Sequence, residues 1–312
     1  MKILLIDNVH CLFKQNFIEW GWNVVEGQDW SYSQIALEIA KFDGVIIRSR
    51  IVLDKKMLAL ATNLKFIGRP GAGLENIDLN FCKKKNISVF RSPEGNRDAV
   101  GEHVIGMLLS LLNKLNVADL QVRKGEWMRE GNRGRELKGK TVGIIGYGHM
   151  GRSVAEKLAG FGVEVIAYDK YVKGFSSEIV NEVALNEIFL KTDILSLHTP
   201  LTDETVKMVD ADFLNNFHKP IILINSARGK SVVLQDLLKA IKNGNVIGAC
   251  LDVLEIESHS FEAVDFSKNK RISELLEKEN VIFSPHIAGW TFESKHKMAT
   301  VIIDKIKQLF FN

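Results

Sequence analysis

A chain of 312 residues, 46% of them hydrophobic and 25% charged, has room for two ordinary domains and the composition of a globular protein rather than a disordered or fibrous one. A net charge of +3 is too small to argue for nucleic acid or a membrane surface as partner, and no apolar run approaches a membrane span. Cys11, Cys82 and Cys250 lack metal or redox spacing and read as reduced, packed thiols; no metal is expected, and a cytoplasmic address follows by default.

In chain order, strand-like runs are expected at 3–6, 23–25, 45–47, 65–67 and 87–90, with Lys83, Lys84 and Lys85 as a solvated helix end. A boundary near 93–96 precedes one long helix over 99–124. Its Val104, Met107, Leu108, Leu111, Leu112, Leu115 and Val117 recur at helical spacing, which suits either an interdomain connector or a subunit interface. Further strands are expected at 142–145, 163–168, 194–197, 221–224, 246–251 and 281–283, with a polar insertion over 255–280. A last helix over 293–311, with Val301, Ile302, Ile306 and Leu309 on one face, is expected to return to the first domain. Strands alternating with helices predict an α/β protein of two doubly wound parallel sheets.

The first strand of the second half runs into Gly146-Tyr147-Gly148-His149-Met150-Gly151. Gly146 suits the tight strand-to-helix turn, Gly148 lets backbone approach a pyrophosphate, and Gly151 lets the helix pack close to the sheet. The diphosphate would sit on the helix N-terminus, where backbone N–H groups and the helix dipole favour negative charge. The next strand ends at Asp169, about 20 residues on, where a carboxylate can bond the adenosine ribose diol and repel a 2′-phosphate. NAD is therefore expected over NADP, with Lys170 and Lys173 as a slight counterweight.

Ligands of open α/β sheets bind beyond the carboxyl ends of the strands. Read just past those ends, the second half offers His198 and Pro200, Arg228, Asp252 and Glu257, and His286. An arginine, a glutamate and a histidine suit the conversion of a hydroxyl to a ketone. His286 can take and return the proton, Glu257 on its other ring nitrogen would stabilise the imidazolium, and Arg228 can grip a carboxylate. Asp252 could accept from a nicotinamide carboxamide.

At these residues the chain resembles the D-isomer-specific 2-hydroxyacid dehydrogenases, over essentially its whole length. Asn225-Ser226-Ala227-Arg228-Gly229 is similar to the family's arginine motif, and Gly248 to Val253 followed by Glu257 to its acid motif. Ser284-Pro285-His286-Ile287-Ala288-Gly289 is similar to its histidine motif. The resemblance implies a flavodoxin-like substrate domain from 1–94 and 290–312 and a Rossmann NAD-binding domain over 95–289. It implies Arg228, Glu257 and His286 as catalytic residues. Around NAD it implies Tyr147, Gly148, His149, Met150, Asp169, His198, Thr199, Pro200, Thr205, Ser226, Ala227, Asp252 and Gly289.

In the first domain, Arg48-Ser49-Arg50 and the run from Gly68 to Asp78 look like the substrate loops of the family's phosphoglycerate dehydrogenase branch. Ala72 and Gly73 would meet the substrate carboxylate, Arg48, Ser49 and Arg69 its phosphate. The implied reaction is NAD-dependent oxidation of 3-phospho-D-glycerate in serine biosynthesis, by a homodimer or dimer of dimers that closes on its substrate. A reductase of glyoxylate, hydroxypyruvate or another 2-oxo acid is the alternative. An NAD(H)-sensing co-repressor-like interaction protein is an alternative of another class. Ser258, where the family usually has proline, Trp290, and a long 258–278 segment depart from the family pattern. The chain's end at Asn312 sets the expectation of no serine-regulated C-terminal domain.

Overall fold

The computed structural model describes residues 1–257, 266 and 270–311, and the chain divides into two compact units. Most of the polar segment expected over 258–278, Ser258 included, lies outside the described residues. The first unit takes Met1–Arg97 and the stretch from Trp290 on; the second takes Asp98–Glu257 and the stretch ending at Gly289.

The first unit alternates β1 (Lys2–Leu5), α1 (Leu12–Glu19), β2 (Asn23–Glu26), α2 (Tyr32–Glu38), β3 (Gly44–Ile46), α3 (Lys55–Leu60), β4 (Phe66–Arg69), α4 (Leu79–Lys84) and β5 (Ser88–Arg91). The strands form one parallel sheet in the order β2-β1-β3-β4-β5. Alternate residues of a strand face opposite sides, so Leu4 and Ile6 join Ile35, Phe42 and Met57 on one face. Ile3 and Leu5 join Phe13, Phe17 and Phe66 on the other. That second face is completed by the final helix, Phe292–Phe311, through Ala299, Ile302, Ile303 and Ile306. Leu309, expected on the buried stripe, is 46% exposed; the stripe runs through Met298, Ala299 and Ile303 instead.

The second unit opens on helices where one was expected, α5 (Pro93–Leu112) and α6 (Leu115–Arg123). Proline is favoured at a helix's first position, where its missing N–H costs nothing, so α5 begins at the expected boundary rather than after it and carries the chain from one unit into the other. It ends where Lys114 takes a left-handed backbone (φ 51°), a break that no glycine or proline announces.

There follow β6 (Thr141–Ile145), α7 (His149–Leu158), β7 (Glu164–Tyr168), β8 (Asn181–Glu182), α8 (Leu185–Lys191), β9 (Ile194–Leu197), α9 (Ala211–Asn215), β10 (Ile221–Asn225), α10 (Leu234–Lys242), β11 (Val246–Leu251), α11 (Lys270–Leu276) and β12 (Val281–Phe283). All pair in parallel, in the order β12-β11-β10-β9-β6-β7-β8. The two-residue edge strand β8 was not expected. Nor was α11, which lies within the polar insertion and buries Ile272 and Leu275 beside α10. Cys82 and Cys250 are buried thiols, whereas Cys11, expected to be packed, is exposed. Among the described residues no helix is long and apolar enough to cross a membrane.

Candidate active site and cofactor cradle

The strand order of the second unit reverses between β6 and β9, and the crevice at such a switch point is where open α/β sheets bind ligands. The three glycines there do separable work. Gly146 has φ +93°, and a Cβ on it would come within 2.7 Å of the His198 carbonyl oxygen. A Cβ on Gly151 would lie 2.2 Å from the Gly146 oxygen, so this glycine lets α7 start against its own strand. A Cβ on Gly148 would meet nothing, which leaves its backbone open to approach at the N-terminus of α7.

Tyr147, named as a cofactor contact, turns inward instead. Its ring is 4% exposed, stacks on Phe175 at 4.4 Å, and lies under the Arg152 guanidinium. Its backbone N–H donates to Asp169 Oδ2 at 2.8 Å. Asp169 Oδ1 accepts from the N–H groups of Tyr171 and Val172 at 2.8 and 2.9 Å, so three backbone donors fix the carboxylate. Burial opposes its charge, but those three bonds and Lys173 outweigh burial and hold its pKa below the usual carboxylate value. Lys173 donates to the Asp169 carbonyl, while Lys170 and Tyr171 both reach the Glu204 carboxylate at 2.7 Å.

At the carboxyl end of β9, burial pushes the His198 imidazole down to about 4, leaving the ring neutral at physiological pH. Its Nε2 lies 2.8 Å from Ser196 Oγ. His198 Nδ1, Thr199 Oγ1 and Ser226 Oγ are buried polar atoms with no protein partner. Pro200 is exposed, and its carbonyl accepts from Thr205 Oγ1 at 2.6 Å; that hydroxyl also accepts from Thr202 N–H, so Thr205 shapes its own loop. Ala227 is buried, its N–H on Asn225 Oδ1.

On the other side of the switch point, β10, β11 and β12 are neighbours, and Arg228, Asp252 and His286 leave their carboxyl ends side by side. Arg228 Nη1 donates to the Ala227 carbonyl at 2.7 Å, and Asn225 holds the Arg228 carbonyl. Glu257 accepts the Leu254 N–H on Oε1 and meets His286 Nδ1 on Oε2 at 2.8 Å, which leaves Nε2 as the ring nitrogen not used by Glu257. His286 has φ 57°, a left-handed backbone that costs a non-glycine residue of order 1–3 kcal/mol.

Asp252 holds that turn in place. Its carbonyl accepts the His286 N–H at 2.7 Å, and its carboxylate accepts those of Ile287 and Ala288 at 2.9 Å each. The expectation for Asp252 was a bond to nicotinamide. Its carboxylate is 1% exposed and also accepts from Ser284 Oγ on Oδ1 at 2.6 Å, so it supports the histidine loop whatever else it meets. No motif marked this role, because it depends on three consecutive N–H groups converging on one buried acid.

In the first unit, β3 and β4 pair Ile46 with Gly68, so Arg48 and Arg69 leave adjacent strands at the same edge. The Arg48 N–H donates to Asp7, and its guanidinium lies 4.8 Å over the Trp290 ring. Asn76 Nδ2 braces the Arg48-Ser49-Arg50 loop by donating to the carbonyls of Arg48 and Ile51. Arg50 is structural: its guanidinium donates to the carbonyls of Trp30, Ile6 and Gly27 and pairs with Asp7. The Arg69 guanidinium folds over Gly71, whose φ of +153° and missing Cβ make room for it. Ala72 and Gly73 follow directly, the Ala72 carbonyl accepting from Arg91 at 3.4 Å.

Residues 105–288 match the family model for the D-isomer specific 2-hydroxyacid dehydrogenase NAD binding domain. The chain belongs to this dehydrogenase family. Over 278 residues it is 33% identical to a D-3-phosphoglycerate dehydrogenase of Archaeoglobus fulgidus, covering 88% of this chain and 51% of that one. It is 32% identical over 268 residues to a hydroxypyruvate reductase of Thermotoga maritima, covering 86% and 85%. A D-lactate dehydrogenase from Aquifex aeolicus, solved with NAD and lactic acid, superposes with TM-score 0.85 at 29% identity over 99% of this chain and 95% of that one. The chain thus spans about half the length of the phosphoglycerate dehydrogenase it matches.

As this family's NAD-binding domain, the second unit fits its cofactor on its own geometry. The open Cβ position at Gly148 admits a diphosphate, and the first turn of α7 has N–H groups with no intrahelical acceptor. The unpartnered Thr199 and Ser226 hydroxyls and His198 Nδ1 offer buried hydrogen bonds on the far side of the switch point.

Proposed function

We propose that this chain is an NAD-dependent oxidoreductase that interconverts a D-2-hydroxy acid and its 2-oxo acid, with 3-phospho-D-glycerate and 3-phosphohydroxypyruvate as the substrate pair. The observation that carries the chemistry is the 2.8 Å bond between Glu257 and His286 Nδ1, beside Arg228 at the neighbouring strand ends. Bound NAD supplies hydride exchange at the substrate's C2.

The chain's own groups manage the proton and the carboxylate. In reduction the His286 imidazolium gives its Nε2 proton to the carbonyl oxygen as that oxygen becomes a hydroxyl; in oxidation the neutral ring takes it back. Glu257 stabilises the cationic ring and fixes its orientation through Nδ1. Arg228, a permanent planar cation, grips the substrate carboxylate and polarises the carbonyl next to it.

The phosphate assignment rests on Arg48 and Arg69, side by side at the edge of the first sheet, since two forked cations suit a dianion. Ser49 and the backbone at Ala72 and Gly73 complete that substrate-side reading, and the proposed reaction would serve serine biosynthesis. One observation favours a second reading. The Thermotoga hydroxypyruvate reductase is as similar in sequence, at 32% identity, as the phosphoglycerate dehydrogenase at 33%. A steady-state panel of phosphorylated and unphosphorylated 2-hydroxy and 2-oxo acids, followed at the NADH absorbance, decides between them. Arg48→Ala and Arg69→Ala should each depress kcat/KM for the phosphorylated substrate far more than for glycerate; equal losses on both would remove the phosphate assignment.

The proposed assembly is a homodimer formed through α6. This helix buries none of its residues, and Leu115, Leu120 and Val122, with Trp127 and Met128 just after it, are all more than half exposed. Apolar exposure concentrated in one segment is the mark of a surface that another chain covers.

A further inference from the structure

One ionisable side chain near the histidine loop has no part in the mechanism above. His103, on α5, places Nε2 2.9 Å from Ser284 Oγ and 3.5 Å from Asp252 Oδ1. The Ser284 hydroxyl in turn lies 2.6 Å from that same carboxylate oxygen. The direction of these bonds follows from valence. An ionised carboxylate only accepts, so the single hydroxyl proton of Ser284 goes to Asp252, and Ser284 Oγ has only lone pairs left for His103. His103 Nε2 must therefore carry a proton. The chain of donors runs one way, from His103 to Ser284 to Asp252, and ends on the acid that gathers the N–H groups of His286, Ile287 and Ala288.

Asp252 could not do this work if it were protonated. Burial opposes its charge, but the His103 and Ser284 bonds and the two loop N–H groups hold its pKa below the usual carboxylate value. His286 needs such support, because its left-handed backbone is a conformation that a bulky side chain does not adopt unaided.

We infer that His103 is a positioning residue for catalysis: through Ser284 and Asp252 it holds the left-handed turn that aims the His286 imidazole at the substrate. The inference rests on the reading of His286 as the proton donor, which His286→Asn tests by itself. If His286→Asn keeps full turnover, that reading fails; if it is inactive while His103 variants are normal, only the present inference fails.

The test compares His103→Leu, His103→Gln, Ser284→Ala and the Leu/Ala double variant in steady-state reduction of the panel's best 2-oxo acid, with NADH affinity measured by fluorescence titration. His103→Leu should lower kcat by about tenfold to a hundredfold, the scale of a small misplacement of a reacting group, with NADH affinity retained. His103→Gln, whose amide N–H can reach the same hydroxyl, should recover most of the loss. Ser284→Ala should be slow on its own, and the double variant no slower than the worse single one, because both interrupt one relay. The inference is overturned if His103→Leu turns over normally, if Gln is as slow as Leu, if the two single losses multiply, or if the only loss is in NADH affinity. Should His103→Leu not fold, Ser284→Ala and His103→Gln still decide: normal turnover in the first or a severe loss in the second sinks it.

Discussion

A single imidazole carries the proton chemistry proposed here, and its geometry makes the corresponding variant informative. His286→Asn keeps a polar side chain of similar reach but cannot shuttle a proton near neutral pH. It should lower kcat by about two to four orders of magnitude while NADH still binds, as measured by stopped-flow turnover beside fluorescence titration. The contact between Glu257 and His286 could be anticipated from the chain because each follows a strand of one parallel sheet, and strand ends converge. Asp252 could not be read in the same way. Its position at a strand end suggested a ligand contact, but nothing in the chain announced the backbone donors of the turn it supports. A sequence records which side chains are polar, but not which N–H groups will face them. Tyr147 illustrates the same limit: within the glycine motif it reads as a cofactor neighbour, yet its ring stacks on Phe175, 28 residues away in sequence and unmarked by any pattern.

Among the elements, the glycine loop separates fold from binding. Gly148→Ala puts a methyl group where nothing stands, so the thermal midpoint should hold while NADH affinity drops by about tenfold or more, a loss of about 1.4 kcal/mol. Gly151→Ala drives a Cβ to 2.2 Å from the Gly146 carbonyl oxygen and should cost stability of about 1–3 kcal/mol, seen as an earlier urea midpoint. Equal behaviour of the two variants would refute this division of roles. Most of the parallel strands were legible because they are short apolar runs between turn residues, whereas β8, only Asn181 and Glu182, carries no such run. What escaped has physical reasons. The α5–α6 break falls at Lys114, whose left-handed backbone is set by tertiary context rather than by a permissive residue. The helix α11 sits in a stretch so polar that its two buried anchors, Ile272 and Leu275, do not make a pattern.

For the molecule as a whole, two solution properties follow. His198 has a folded pKa of about 4 against an ordinary value of 6.5, so below pH 6.5 the unfolded chain takes up a proton that the folded one refuses. Its contribution is complete above pH 6.5 and is lost progressively as pH falls towards 4, up to about 3 kcal/mol in all. Urea midpoints of His198→Leu should therefore vary less with pH across that window than those of the native chain; identical slopes would show that the ring is not held neutral. The proposed dimer makes a separate demand. Leu120→Glu together with Trp127→Ala should convert the species seen by light scattering from two chains to one, and an unchanged mass would place the interface elsewhere.

The final helix closes a sheet face whose strands were made some two hundred residues earlier. Until Ala299, Ile302, Ile303 and Ile306 leave the ribosome, Ile3, Leu5, Ile46 and Phe66 have only the partial cover of Phe13 and Phe17 on that side, and the whole second unit must be synthesised in between. During translation the first sheet is thus a sticky, half-finished surface, and premature stop codons after Gly289 should yield insoluble protein, however well the completed second unit folds.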